Sequence, residues 1–280
     1  DKIHFSGALN PGMSGGPAIS HDGAVIGINV ATAGNEISFL VPVEPLQQLF
    51  VDYTHQPAGY NFTGHANDHL QEQLLASQSR NINALLKKKW ESVPFGPVAV
   101  PGRLHDVLKC WGGTNHKEKD PFDHYFSTCS SQDRIFLDND FDTGLVFFQY
   151  DYALGKEGLN TARFYKFYES QFSLPRGDFK NAKEGDASNF TCNSRFVDAA
   201  GERWKSNFCV RQYQKYPAIF DMYTNMALVG AGKKGFVVSL MAQGVSQQNA
   251  LTLAQRFMSE IKPLPPPHPK KGGALHEARP

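Results

Sequence analysis

The run Asn10-Pro11-Gly12-Met13-Ser14-Gly15-Gly16-Pro17 sets one serine hydroxyl among glycines, the setting that acyl transfer asks of a nucleophile. A serine hydroxyl attacks a carbonyl poorly. It needs a base to take its proton and backbone N–H groups aimed at the charge that develops on the attacked oxygen. Gly12, Gly15 and Gly16 lack Cβ atoms, so they can take backbone angles closed to other residues and let a peptide approach the main chain closely. Ser14 is the candidate nucleophile. A turn between strands would also use such a stretch, so the flanking elements decide between the two readings.

Those elements are β. After Pro17, the stretch Ala18-Ile19-Ser20, the turn His21-Asp22-Gly23 and the stretch Ala24 to Val30 read as strand, Asp-Gly turn, strand. A further strand, Glu36 to Val41, follows a Gly34-Asn35 turn and stops at Pro42. The succession N-P-G-x-S-G-G-P, then D-G-x-V-I-G-I-N, then I-S-F-x-V-P resembles the nucleophile region of trypsin-like serine proteases, and within them the HtrA-type branch. The resemblance covers residues 3 to 50. It implies that Ser14 attacks the scissile carbonyl and that the N–H groups of Gly12 and Ser14 form the oxyanion hole. It also implies that Ile28, Asn29, Val30 and Ala31 pair with the substrate backbone and line the primary specificity pocket. The small and apolar residues there suit an apolar substrate side chain. A protein or peptide is the implied substrate, with no cofactor and no metal. Met13 departs from the pattern, since trypsins usually have Asp there and the HtrA branch Asn. Methionine can make neither polar contact, so activation by the trypsin route is not expected.

In that family the catalytic histidine and aspartate lie far upstream of the serine, and only thirteen residues precede Ser14 here. The chain is therefore expected to be the C-terminal part of a longer serine endopeptidase, catalytically incomplete by itself. His21 sits in a hairpin turn, aimed away from the loop at the hairpin's base, and His4, His55, His65 and His69 read as solvated or core-edge imidazoles.

With 280 residues the length suggests about two domains, and 41% hydrophobic with 12% aromatic residues suffices for a packed core. Lys+Arg 28 against Asp+Glu 27 gives a formal charge of +1, which argues against a nucleic-acid partner. No stretch approaches the roughly 20 apolar residues that cross a bilayer. Residues 1–52 are expected to be the C-terminal strands of the second barrel of a trypsin-like domain. Residues 53–97 read as a linker, a loop over Val51 to Gly64 and then a helix from Asn67 or Asp68 to Trp90, with Leu70, Leu74, Leu75, Ile82, Leu85 and Leu86 at helical spacing. No Gly-Leu-Gly-like loop of a PDZ module follows. Residues 98–262 read as an α+β accessory domain. Its strands are expected at Val98 to Val100, Ile135 to Leu137, Gly144 to Tyr152, Phe190 to Phe196, Phe208 to Tyr213 and Lys234 to Ala242. Its helices are expected from Asn160 to Phe172 and from Ser246, as cap, to Ile261. Residues 263–280, rich in Pro, Lys and Gly, read as a disordered tail. The fold class is thus mixed, a partial trypsin-like β-barrel followed by an α+β domain.

All four cysteines fall in the second unit. Local disulfides Cys110–Cys129 and Cys192–Cys209 are the preferred pairing and imply a periplasmic or secreted protein. A zinc site drawn from Cys110, His116, His124 and Cys129 is a rival, against spacings unlike the usual close pairs, and buried reduced thiols are another. Asn61-Phe62-Thr63 and Asn189-Phe190-Thr191 match the glycosylation pattern. The run Asp138-Asn139-Asp140-Phe141-Asp142 invites calcium but lacks the glycine and distal glutamate of an EF-hand, so it reads as a solvated turn. The competing function is a non-catalytic module that binds a protein or envelope component, with the barrel remnant as scaffold. The oligomeric state is left open.

Overall fold

In the computed structural model, the described residues are 2–32, 37–61, 63–116, 118–132, 134–138, 140–171, 182–183 and 185–264. The expected Gly34-Asn35 turn, Glu36, Phe172 and most of the C-terminal tail lie outside them. The chain divides into two compact units, Asp1–Ala66 and Asn67–Pro280.

In the first unit, strands β1 (Ile3–Phe5), β2 (Pro17–Ile19), β3 (Val25–Thr32) and β4 (Ser38–Pro42) form one antiparallel sheet in the order β1-β4-β3-β2. The expected Asp-Gly turn joins β2 to β3, with Gly23 donating to the Ser20 carbonyl and Ser20 to that of Ala24. Helix α1 (Glu44–Thr54) then occupies part of the stretch read as loop. Proline in its first turn, where no amide partner is needed, starts it, and none of its residues is buried. Among the described residues this sheet does not close into a barrel.

The second unit opens with α2 (Ala66–Lys87), β5 (Ser92–Phe95), β6 (Val98–Pro101), β7 (Leu108–Asn115) and β8 (Phe122–Ser131). The short pair β9 (Ile135–Phe136) and β10 (Asp142–Thr143) follows, then β11 (Val146–Gly155) and α3 (Thr161–Gln171). The unit ends with β12 (Thr191–Ala199), β13 (Glu202–Gln212), β14 (Phe220–Leu228), β15 (Lys234–Val245), α4 (Gln247–Ser259) and β16 (Lys262–Pro263). Seven of these strands make one antiparallel sheet, ordered β12-β13-β14-β15-β11-β8-β7. Strands β16, β6 and β5 form a smaller sheet.

The alternation of the strands splits the large sheet into two unlike faces. One carries Phe148, Tyr150, Val238, Leu240, Met226 and Trp204, and it packs with Ile82 and Leu85 of α2 and Leu253 and Phe257 of α4. Arg256 of α4 joins this layer to the end of α2, donating to the Leu86 carbonyl and, at 2.7 Å, to that of Lys88, with its guanidinium 4.0 Å from the Trp90 ring centroid. Ser246 caps α4 as the sequence suggested, its Oγ accepting from the Asn249 amide at 3.2 Å. On the other face α3 covers one end, packing Phe164 and Tyr168 against Ala153, Ala227 and Val237.

Candidate functional site

The loop from Asn10 to Pro17 leads into β2 and is held from one side by β3. Gly12 and Gly15 take φ angles of +94° and +82°, which L side chains rarely adopt, while the space where a Cβ would sit is open at both. The glycines are thus required by backbone conformation and not by crowding. Met13 donates to the Asn10 carbonyl at 3.1 Å and Gly16 to that of Met13 at 3.1 Å. Gly15 donates to the Asn29 carbonyl at 2.8 Å, and the Asn29 amide returns a bond to Gly16 at 2.9 Å. The Asn29 side chain, nearly buried, donates through Nδ2 to the Met13 carbonyl at 3.2 Å. Met13 Sδ lies 3.3 Å from the Asn10 amide, so the residue that departs from the family pattern still contacts its own loop.

With the amides of Met13, Gly15 and Gly16 engaged, those of Gly12 and Ser14 have no internal acceptor among the described residues. The Ser14 side chain is exposed. No described histidine bonds it. His4 stands on β1 with its ring 6.0 Å from that of Phe39, His21 is in the hairpin turn, His55 caps α1 and His65 stacks on Tyr60.

Of the residues read as substrate-binding, Ile28 pairs with both Pro17 and Val41, and Asn29 is spent on holding the loop. A bulge at Val30 follows, and the pairing of β2 on β3 does not reach Val30 and Ala31. The main-chain edge beyond β2 is therefore at Val30 and Ala31, the C-terminal half of the span expected from the sequence. Val30 is exposed and Ala31 half-buried.

Both disulfides are present, Cys110 to Cys129 and Cys192 to Cys209. The zinc alternative fails because its two cysteines are bonded to each other. His116 instead pairs with Asp123 at 2.8 Å and His124 with Asp151 at 2.9 Å. Neither pair was legible from spacing, since the sheet register creates them. Among the described residues no cluster of three metal-binding side chains occurs. The aspartate run is a compensated turn, with Lys183 3.0 Å from Asp140 and Arg134 2.9 Å from Asp142, while Asn139 lies outside the described residues. No described helix is long and apolar enough to cross a membrane. The two disulfides fit an oxidising compartment.

Human serine protease HTRA4 is 36% identical over 64 residues, 22% of this chain and 13% of the relative. Rat serine protease HTR4 is 42% identical over 53 residues, 19% of this chain and 11% of the relative, and the bovine protein is 28% identical over 109 residues, 39% and 22%. Part of this chain is similar to HtrA-type serine proteases. It spans no more than 22% of the length of these relatives. No protein-family profile matches. Among solved structures, LpqN of Mycobacterium tuberculosis, involved in cell envelope biogenesis, aligns over 64% of this chain and 95% of its own with a TM-score of 0.30 and 11% identity. The cyanobacterial PsbP of Synechocystis aligns over 59% and 96% with a TM-score of 0.24 and 13% identity.

Proposed function

We propose that the first unit is the C-terminal part of a trypsin-like serine endopeptidase domain of HtrA type, with Ser14 as nucleophile and the second unit as an accessory domain of an exported protein. The observation that carries this reading is the division of labour among the loop amides. Three are engaged in holding the loop, while those of Gly12 and Ser14, flanking the exposed Ser14 side chain, have no internal acceptor. Two unengaged N–H groups beside a hydroxyl are what a tetrahedral oxyanion needs. Ser14 Oγ forms a bond to the scissile carbonyl carbon, its proton passes to a histidine base, and that proton goes on to the departing amine as the C–N bond breaks. Water then hydrolyses the acyl-enzyme. The histidine and its orienting carboxylate come from polypeptide outside these residues. Val30 and Ala31 would add the substrate backbone to the side of β3 that β2 does not reach.

A fluorophosphonate probe tests the assignment in the full-length parent protein. Covalent labelling mapped to Ser14 by mass spectrometry, and lost in Ser14→Ala, is the expected result. A folded parent that is not labelled at Ser14 overturns it.

A further inference from the structure

The face of the large sheet turned away from α2 and α4 carries a row of side chains in direct cross-strand register. From the β8 strand to the β12 edge it reads Thr128, Gln149, Ser239, Asn225, Asn207, Ser194. At the other edge, Trp111 of β7 stands opposite Thr128 and is 51% exposed. Every member after the tryptophan is an uncharged amide or hydroxyl. On the same face the neighbouring rows carry Phe147, Met241 and Tyr223 on one side and Val237 and Ala227 on the other, so an uncharged polar row is set between apolar ones.

The row is also organised internally. Thr128 Oγ1 donates to Gln149 Oε1 at 3.1 Å and Gln149 Nε2 to Asp151 at 2.8 Å. Ser194 Oγ donates to Asn207 at 2.5 Å, and Asn225 Nδ2 to the Tyr223 hydroxyl at 3.1 Å. Thr128, Asn207 and Asn225 are buried, whereas Gln149 and Ser239 are partly exposed and Ser194 is exposed. The strands at the centre of the row are paired on both sides, so a ligand there meets side chains and cannot add as a strand.

We propose that this face binds a neutral oligosaccharide laid across the strands, with a sugar ring stacked on the Trp111 indole and its hydroxyls bonded by Gln149 and Ser239. Sugar hydroxyls donate and accept, as amide and hydroxyl side chains do, and the C–H face of a pyranose suits an exposed aromatic ring. From Trp111 to Ser239 the row spans three strand intervals of about 4.8 Å, about 14 Å, room for two to three sugar rings. The row itself carries no formal charge, and the Asp151 carboxylate beside it is already engaged by His124 at 2.9 Å and by Gln149. The second unit alone carries this site, so the outcome is independent of whether Ser14 forms an acyl-enzyme.

The test is a tryptophan-fluorescence and calorimetric titration of the 280-residue chain with cellohexaose, chitohexaose, mannohexaose and maltohexaose, and with an oligogalacturonate as the charged control. Trp90 and Trp204 are buried, so Trp111 reports on the surface. Saturable binding of at least one neutral hexamer is expected, with the emission change lost in Trp111→Ala and affinity lowered at least about tenfold by that variant and by Gln149→Ala. Trp111→Ala, at an exposed position, should leave thermal unfolding unchanged and keeps the test decisive if Gln149→Ala is unstable. No saturable binding of any neutral oligomer, binding of the charged control alone, or binding that survives Trp111→Ala overturns the proposal.

Discussion

At the scale of single residues, Gly12 and Asn29 separate conformation from contact. An alanine at Gly12 would meet no atom within 4 Å, so its penalty is purely that of holding φ at +94°, about 1–3 kcal/mol. The loop escapes that penalty by leaving the conformation, and the Gly12 amide turns with it. Fluorophosphonate labelling of Ser14 in the parent protein should therefore fall at least about tenfold in Gly12→Ala, with the rest of the fold unchanged by circular dichroism. Asn29→Ala should lower labelling too, because it removes the Nδ2 bond to the Met13 carbonyl. Undiminished labelling in both variants would show that the loop geometry does not matter to the hydroxyl. The glycine pattern was legible because conformation is written locally; the work of the Asn29 side chain was not, because it depends on which strand the loop lies beside. The buried pair of Arg211 and Asp221 was hidden for the same reason. These residues stand opposite each other on β13 and β14, 2.7 Å apart, with Tyr213 donating to the same carboxylate at 2.6 Å. Burial holds the Asp221 carboxyl above its usual range, and the Arg211 guanidinium draws it back. Asp221→Asn strands that guanidinium in the interior and should lower stability by about 3–5 kcal/mol, read from the denaturant midpoint. Tyr213→Phe, which removes one neutral donor, should cost about 1–3 kcal/mol.

At the scale of elements, the disulfides share a design. Cys110–Cys129 ties the edge strand β7 to β8, and Cys192–Cys209 ties the opposite edge β12 to β13. Both edges of the large sheet are thus pinned to their inner neighbours, which guards unpaired backbone against fraying and against pairing with another chain. Each bond closes a short loop, with sequence separations of 19 and 17, so each should contribute about 3 kcal/mol by restricting the unfolded chain. Replacing Cys110 and Cys129 by serine should lower the denaturation midpoint accordingly and speed amide exchange along β7 more than along β15; an unchanged midpoint would contradict this. The helices α2, α3 and α4 were legible to within a few residues because their apolar positions recur at helical spacing. Strands β7, β8 and β14 were not, since Gly112-Gly113 in β7, the polar run of β8 and the asparagine and aspartate of β14 erase the apolar alternation that marks a strand. Of those polar residues, Thr128 of β8 and Asn225 of β14 belong to the row across the face turned away from α2 and α4, so part of what hides these strands in the sequence is what distinguishes that face.

At the scale of the whole molecule, the two units differ in how much they bury. The second holds a continuous core from α2 and α4 across β11, β15 and β14. In the first, Leu40 is the buried apolar side chain among the described residues, α1 buries nothing, and Ile19, Phe50 and Tyr53 are more than half exposed. Small domains already bury a low fraction of their apolar surface, and this unit has little to set against the entropy of ordering its chain. Native-state hydrogen exchange on the 280-residue chain should therefore show amides of β3 and β4 opening with a free energy several kcal/mol below those of β14 and β15, which should exchange only on global unfolding. In the full-length parent, where the proposed function places further protease strands against this unit, protection of β3 and β4 should rise towards that of the second unit. Equal protection of the two units in the 280-residue chain would mean that the first is stable by itself, and the exposed Ile19, Phe50 and Tyr53 would then require an explanation other than a missing polypeptide cover.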